Sequence, residues 1–217
     1  GYCVSRTNRY ADTELVIPAE YNGLPVTEIA SEAFAEWAWI TSVSIPESVL
    51  KIGAGAFSQM SGITKVYFNA KNCADLDGRN WAFYPSVSGN GKPFELIVGS
   101  AAERIPARLF YPLATEPTTV TALNKITFEE GSALKSVGDY AFYRADVSDI
   151  ALPDTLESVG DYAFYGTGIR TLALGGAVKR LGAGAFGACE SLTAIEFGGG
   201  LTEIGDDCFN YCVVLDG

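Results

Sequence analysis

The sequence has no histidine and few basic residues, and both absences restrict its function. Without histidine, His-based catalytic triads are excluded and the commonest metal ligand is missing. The 15 lysine and arginine residues are outnumbered by 26 acidic residues, which gives a net charge of −11. Because such a surface repels phosphate groups, we expect it to bind neither nucleic acid nor anionic lipid headgroups. No apolar run approaches the ~18 residues of a membrane span, so we expect no membrane insertion by this segment.

Cysteine is also scarce, and its spacing gives little support to metal or redox chemistry. No two cysteines form a C-x-x-C pair, and their number is odd. Cys208 and Cys212 are four residues apart, which is a weak metal signal because no further ligands accompany them. We interpret the cysteines as buried free thiols. The sequence therefore predicts no metal site and no cofactor.

Glycine and apolar residues, by contrast, are abundant and recur in a pattern. The segment Ile52-Gly-Ala-Gly-Ala-Phe57 returns, with variations, at spacings between 22 and 32 residues. Repeats of this period indicate a solenoid, in which each coil buries its apolar face against the next coil. Each copy ends in a phenylalanine anchor, and the eight anchors are Phe34, Phe57, Phe83, Phe110, Phe142, Phe164, Phe186 and Phe209.

A second element lies between successive anchors and is typical of a short strand. In it two apolar residues flank a single residue, at Leu15/Ile17, Val43/Ile45, Val66/Phe68, Leu96/Val98, Ile126/Phe128, Ile150/Leu152, Leu172/Leu174 and Ile195/Phe197. Alternation with period two places these pairs inside and the residues between them outside. The outward residues are Val16, Ser44, Tyr67, Ile97, Thr127, Ala151, Ala173 and Glu196.

Together the two elements predict an α/β leucine-rich-repeat solenoid. We expect a parallel sheet of about eight short strands on one face. On the other face we expect short helical or 3-10 segments that carry the Ala-Phe pairs. Residues 1–217 then form a single domain, in which residues 1–14 cap the N-terminal end. The next strand would begin near position 218, so we expect the chain to be a fragment of a longer protein.

The pattern resembles the BspA-like leucine-rich repeats of bacterial surface proteins, from about Leu15 to Leu215. The elements that carry the resemblance are Ile45-Pro46, the Ile52-Gly53-x-x-Ala56-Phe57 signature, the spacing near 23 residues and the opening segment 17–29. The chain departs from the commoner leucine-rich consensus, because proline or glycine stands where that consensus has an asparagine or cysteine ladder. The resemblance implies an extracellular or cell-surface location and contact with host or neighbouring molecules. It implies no catalytic residues, and it names no ligand.

Two insertions interrupt the regular spacing, at residues 69–95 and 111–125. Phe83 and Leu96 are 13 residues apart, and Phe110 and Ile126 are 16 apart, whereas the regular coils use 8 or 9. Both insertions therefore leave the same side of neighbouring coils. Clustered insertions often form the binding face of a solenoid. The alternative is neutral growth of two loops.

Tyrosine follows the anchor in four consecutive coils, at Tyr84, Tyr111, Tyr143 and Tyr165. Because a solenoid stacks equal positions, these rings predict an exposed aromatic ladder suited to protein or sugar contacts. The alternative is repeat duplication, with the rings packing on one another and on the turns. On the sheet face, Tyr67 and Ile97 are the outward residues nearest the insertions, although an ordinary β surface is the alternative there. These six residues are our candidate ligand contacts.

The repeat explains two other motifs without a separate function. Gly182-Ala-Gly184-Ala-Phe-Gly187 fits G-x-G-x-x-G formally, but it occupies the same slot as the segment at Gly53. Asp139, Asp161 and Asp206 share the position after the repeat glycine, where turn or cap formation is the expected use rather than calcium binding. The sequence therefore predicts no catalytic residues and no metal ligands.

We expect a non-catalytic, adhesin-like recognition module at the cell surface or in the secreted fraction. Its expected partner is a protein, with a glycan as the second class of ligand. The alternative is a purely structural stalk that presents another domain. An enzyme with an unconventional carboxylate site is the third reading, and it would need a deep cleft with two converging carboxylates.

Overall fold

The computed structural model describes residues 12–76, 82–83, 93–111 and 122–212, together with the backbone of 2–4. Within these residues the chain forms strands and turns, and no helix. The strands are β1 Tyr2–Val4, β2 Glu14–Val16, β3 Glu20–Tyr21, β4 Leu24–Ile29, β5 Ser42–Ile45, β6 Lys51–Ile52, β7 Lys65–Phe68, β8 Phe94–Val98, β9 Arg104–Ile105, β10 Leu123–Phe128, β11 Ser136–Val137, β12 Ser158–Val159, β13 Thr171–Ala173, β14 Arg180–Leu181, β15 Ala194–Glu196 and β16 Glu203–Ile204.

The predicted strands form parallel pairs, as expected, but they do not form one sheet of eight. The order β10-β8-β7-β5-β2 makes a five-stranded sheet, and β13-β15 makes a separate pair. Residues 150–152, where the sixth strand was expected, form no strand. This break coincides with a change in coil length, because Ile126 and Leu134 are eight residues apart whereas Ile150 and Leu156 are six apart. The coils on either side therefore follow different paths here.

A second parallel ladder, which we did not predict, runs beside the first. The order β16-β14-β12-β11-β9 joins five coils, and β4 joins β6, β1 and the antiparallel β3. Its strands pair in strict register, for example Ser136 with Ser158 and Val137 with Val159. The signal in the sequence is the dipeptide before the repeat glycine, in which a polar residue usually precedes a buried aliphatic one. Two residues are too short for a period-two pattern to reveal a strand.

Our prediction of helical or 3-10 segments on the other face is wrong, because the described chain forms turns there. Two positions of each regular coil have positive φ, two residues before and two residues after the anchor. The first column contains Glu32, Gly55, Arg108, Tyr140, Tyr162, Gly184 and Asp207, and the second contains Glu36, Gln59, Arg144, Gly166, Ala188 and Tyr211. Left-handed residues four apart leave no room for a right-handed helical turn around the phenylalanine.

The turn face is instead held by hydrogen bonds between coils. The N–H groups of Tyr140, Phe142 and Arg144 donate to the carbonyls of Asp161, Ala163 and Tyr165, at 2.9, 2.9 and 2.7 Å. Equivalent bonds join the other regular coils. Every second residue of the turn therefore uses its N–H group between coils, as in a strand, and the backbone is satisfied without a helix.

The phenylalanine anchors form one stack along the centre of the solenoid. Neighbouring ring centroids are 4.6 to 6.0 Å apart along the whole series from Phe34 to Phe209. The inward residues of the strands pack beside this stack. Phe197, which we expected to be buried, is 50% exposed, because no described coil lies beyond it.

The cysteines in the described part of the chain are free thiols, as expected. Burial raises the pKa of Cys73 to about 12 and the pKa of Cys189 and Cys208 to about 11. Cys189 Sγ lies 3.3 Å from the Thr167 hydroxyl in the preceding coil. These thiols therefore fill core positions and remain protonated at neutral pH.

Candidate functional site

The outward residues of the five-stranded sheet form one continuous row. Val16, Ser44, Tyr67 and Ile97 are paired in register from strand to strand, and Thr127 extends the row on β10. Tyr67 and Ile97 are thus direct neighbours, as the repeat register predicted. Val16 is 66% exposed and Tyr67 is 37% exposed, although both are apolar enough to be buried in a core. The row therefore offers apolar surface to a partner.

A shallow concavity of about 280 Å³ lies along this row. It is lined by Val16, Ile17, Ser44, Ile45, Pro46, Tyr67, Phe68, Asn69, Ile97, Gly99 and Glu129. Pockets for small molecules are usually ~300–1,000 Å³, so this volume suits one or two side chains of a larger partner. Most of the lining is apolar, and its single charged residue is Glu129.

The rim of the concavity is formed by the loops that follow the strands, and these loops are fixed by side chains. Asn69 accepts a hydrogen bond from Ala101 N–H at 3.1 Å, and Glu129 Oε2 accepts one from Ser100 N–H at 3.1 Å. A Cβ atom on Gly99 would lie 2.3 Å from Asn69 Oδ1, so a side chain at this position would displace Asn69 from its bond to Ala101. These contacts hold the polar groups of the rim in place before any partner binds.

On the other side of the row, the outward charges are already paired. Glu95 Oε1 lies 2.7 Å from Lys125 Nζ and accepts a hydrogen bond from the Thr127 hydroxyl at 2.8 Å. Hydrogen bonds from Lys125 and Thr127 lower the pKa of Glu95 below its ordinary value, and burial opposes this shift only weakly. This carboxylate is therefore neutralised within the sheet.

The tyrosines of the turn face form a compact cluster of two columns. In one column Tyr143 and Tyr165 stack at 5.3 Å, and in the other Tyr140 and Tyr162 stack at 5.1 Å. Tyr111 closes the cluster at one end, at 5.4 Å from Tyr143 and 5.6 Å from Tyr140. The rings thus pack on one another, which was our alternative interpretation of the ladder.

Both ends of this tyrosine cluster are covered. The Arg108 guanidinium lies 4.7 Å from the centroid of Tyr140 and 5.5 Å from that of Tyr111. At the other end, a Cβ atom on Gly184 would lie 2.5 Å from the Tyr162 ring, and one on Gly187 would lie 2.9 Å from the Tyr165 ring.

The rings are half-buried, and burial raises the pKa of Tyr140 and of Tyr143. The stacked faces of Tyr140, Tyr143, Tyr162 and Tyr165 are therefore occupied within the protein. Ring edges and hydroxyl groups remain for contacts with a partner.

Tyr84 and most of both insertions lie outside the described residues. The structure describes residues 69–76, 82–83 and 93–95 of the first insertion, and residues 111 and 122–125 of the second. Of the six candidate contacts, Tyr67 and Ile97 come together on the sheet face. Tyr111, Tyr143 and Tyr165 come together on the turn face.

The aspartate column joins coils, as turn and cap formation predicted. Asp139 Oδ1 accepts a hydrogen bond from Asp161 N–H at 2.8 Å, and Asp161 Oδ1 accepts one from Ala183 N–H at 2.9 Å. Asp75, which we did not predict, makes the same contact with Ala107 N–H at 2.8 Å and also pairs with Arg104. Burial opposes the charge on Asp75, but bonds from Arg104 and Ala107 outweigh it and lower the pKa of Asp75.

Neither a metal cluster nor a membrane helix is found in the described ranges. There, no three Cys, Asp or Glu side chains converge as a metal ion would require. No helix of these residues is long and apolar enough to cross a membrane.

Parallel coils of about 23 residues, an inward phenylalanine stack and short strands in register define a leucine-rich-repeat protein. The chain belongs to the family described as BspA type leucine rich repeat region, whose profile matches six copies over residues 15–88 and 118–216. No curated protein shows significant similarity to the chain.

Several solved structures are similar to this chain at low sequence identity. A leucine rich repeat protein of T. pallidum is 18% identical, with a TM-score of 0.41 over 99% of this chain and 82% of that one. A leucine rich cell surface protein of Faecalibacterium prausnitzii is 16% identical, with a TM-score of 0.36 over 94% of this chain and 74% of that one. The pneumococcal vaccine antigen PcpA is 16% identical, with a TM-score of 0.38 over 100% of this chain and 74% of that one.

Proposed function

We propose that the chain is a non-catalytic recognition module, exposed at the cell surface or secreted, that binds a partner protein in an adhesin-like manner. The observation that carries this proposal is the apolar row of Val16, Tyr67 and Ile97 beside a preformed concavity. Exposed apolar side chains beside a fixed polar rim are the arrangement expected of a protein-binding surface. We assign the primary contacts to Tyr67 and Ile97.

A protein partner is favoured over a glycan by the tyrosine cluster. Sugar rings bind aromatic side chains mainly through the ring faces, and these faces are covered by neighbouring tyrosines, Arg108 and two glycines. We assign Tyr111, Tyr143 and Tyr165 a secondary role through their hydroxyl groups, and we place Tyr84 in the same group by its repeat position. Protein ligands offer many acceptors for such hydroxyls.

The second candidate function is a structural stalk. The closed tyrosine cluster favours it, because a set of rings that covers its own faces stiffens the solenoid without any partner. The two candidate functions differ in what they require of the sheet face. A recognition module requires Tyr67 and Ile97 as contacts for its partner, whereas a structural stalk does not.

The test is binding of the purified chain to arrays of extracellular proteins and of glycans. The decisive variant is Tyr67→Ser with Ile97→Thr, because Ser44 and Thr127 already occupy this row in neighbouring coils. We expect the affinity of protein hits to fall about thirtyfold, the loss expected when two contacts worth about 1 kcal/mol each are removed. Tyr143→Phe with Tyr165→Phe, and separately Tyr84→Ala with Tyr111→Ala, test the secondary contacts. Protein hits that bind the sheet-face variant equally well refute the assignment, and the absence of any hit favours the stalk.

A further inference from the structure

The sheet-face concavity has a charge pattern that specifies its partner more closely than apolarity does. Its lining contains one charged side chain, the carboxylate of Glu129. One oxygen of this carboxylate accepts the Ser100 N–H, and no ion pair involving Glu129 is found in the described part of the chain. Glu129 is exposed, and Glu130 beside it is exposed too. The rim therefore carries negative charge that no described residue neutralises through an ion pair.

Three described lysines near the concavity are directed to other acidic residues. Lys125 Nζ pairs with Glu95, and Lys71 Nζ lies 3.5 Å from Glu103 Oε1. Lys65 lies on β7 in register with Glu95 and forms no ion pair with Glu129. Among the described residues Glu129 thus has no cationic partner and is open to a cation from a binding partner, which the net charge of −11 also attracts over longer distances.

The positions of the apolar row and of Glu129 determine how far apart the two contacting groups of a partner must be. Tyr67 lies on β7 and Glu129 follows β10, which is two strands away in the order β10-β8-β7. Neighbouring strands are ~4.8 Å apart, and Glu129 lies two residues (~6.6 Å) beyond Thr127, which shares the row with Tyr67, so the Cα atoms of Glu129 and Tyr67 are roughly 12 Å apart. An extended segment advances ~3.3 Å per residue, and the long side chains of Glu129 and of a lysine or arginine cover part of the distance, so two or three residues separate groups that reach both points.

Resting on the proposed function, we propose that the partner binds through an extended segment with a lysine or arginine two or three residues from an apolar anchor. The anchor packs between Tyr67 and Ile97 in the concavity, and the cation pairs with Glu129. This arrangement uses both parts of the lining and leaves neither an unpaired buried charge nor an empty apolar surface. A segment with acidic residues at those positions meets Glu129 and Glu130 and is repelled.

The test is a selection from a displayed random 12-residue peptide library on the wild-type chain, with counter-selection on Tyr67→Ser/Ile97→Thr. Peptides that survive depend on the sheet face and support the proposed function. Lysine or arginine enriched two or three residues from an apolar position supports the inference. Face-dependent peptides with neutral or acidic residues there overturn the inference but not the proposed function. Recovery of no face-dependent peptide overturns both.

Synthetic copies of the enriched peptides then test the role of Glu129. We expect Glu129→Gln to weaken binding about two- to fivefold, as for loss of one exposed ion pair, and Gln still accepts the Ser100 N–H. The matched control is Glu36→Gln, which removes the same charge from an exposed position on the turn face. Replacing the basic residue of the peptide by glutamine should remove the difference between wild type and Glu129→Gln. Equal affinity for wild type and Glu129→Gln, or equal losses in Glu129→Gln and Glu36→Gln, overturns the inference.

Discussion

Gly160 explains why glycine recurs four residues before the phenylalanine anchor in five of the eight coils. A Cβ atom at this position would lie 2.7 Å from Asp139 N and 2.8 Å from the carbonyl carbon of Gly138, both in the backbone of the preceding coil. The equivalent glycines at Gly53, Gly138, Gly182 and Gly205 have the same contact. Their φ angles are not positive, so the requirement is close approach between coils rather than a special turn. In these five coils the close approach of the preceding coil therefore leaves no room for a side chain at this position.

Gly160→Ala should therefore destabilise the protein strongly. We expect the free energy of unfolding to fall by about 2 kcal/mol, since the methyl group must displace backbone rather than a flexible side chain. The measurement is the urea midpoint followed by circular dichroism. Gly176→Ala is the matched control, because a Cβ atom there meets nothing within 4 Å. Equal midpoints for the two variants would contradict the close-approach explanation.

At the scale of the element, the tyrosine cluster gives the turn face an apolar layer of its own. Tyr143 contacts Tyr111, Tyr140 and Tyr165, which lie in three consecutive coils. No hydrogen bond to its hydroxyl is found within the described residues. Its contribution to stability is therefore expected to come from the ring.

Two substitutions of Tyr143 separate the ring from the hydroxyl. We expect Tyr143→Ala to lower the free energy of unfolding by about 2 kcal/mol, because aromatic pairs contribute ~0.5–1.5 kcal/mol each beyond their buried area. We expect Tyr143→Phe to change it by less than about 0.5 kcal/mol, since the stacking is kept. Urea unfolding monitors both variants. A large loss in Tyr143→Phe would mean that the hydroxyl, rather than the stack, stabilises the turn face.

The repeat allowed the sheet side of most coils to be predicted from sequence, with residues 150–152 as the exception, but the turn side could not be predicted. Alternation around Val43 and Val66 fixes which side chains point inward, because a strand has only two faces. The Ala-Phe segment has no comparable pattern, and its left-handed positions hold tyrosine, glutamate or arginine as well as glycine. These residues adopt positive φ because bonds to the next coil compensate for it, as for Tyr140 N–H and Asp161. Such compensation depends on the neighbouring coil, so the positive φ angles cannot be predicted from the local sequence.

The candidate site shows the same division between pattern and context. The register predicted that Tyr67 and Ile97 would be neighbours, and the structure places them side by side. The Glu129 rim was not predicted, because its position depends on a bond from Ser100 that lies 29 residues away in the sequence. The covering of the tyrosine rings was left open, because stacked repeat positions are compatible with exposed or packed rings.

At the scale of the whole molecule, three parallel connections hold the coils together, and they do not break at the same place. The five-stranded sheet ends at β10, whereas the second ladder continues from β11 to β12 across the same boundary. The turn-face bonds also continue there, from Tyr140 to Asp161 and from Phe142 to Ala163. Each boundary between regular coils thus keeps at least two connections. The solenoid is therefore continuous even where its main sheet is not.

Such an architecture predicts that a coil can be duplicated. Residues 150–171 form a complete coil with Pro153, Asp161, Phe164 and Tyr165 in their repeat positions. A second copy inserted after Thr171 should stack its phenylalanine, its tyrosines and its aspartate cap on the first copy, because each coil contacts only its neighbours.

The duplicated chain should fold and be longer by one coil. We expect an unchanged shape of the circular dichroism spectrum, a urea midpoint no lower than that of the original chain, and a maximum dimension greater by ~4.8 Å in small-angle scattering. The control is an insertion of the same residues in scrambled order, which cannot stack and should leave the solenoid length unchanged or prevent folding. If the true copy behaves like the scrambled one, the coils are not interchangeable units. The stability of a coil would then depend on contacts beyond its nearest neighbours. That result would contradict the hydrogen-bonding pattern, in which each coil is bonded only to the next.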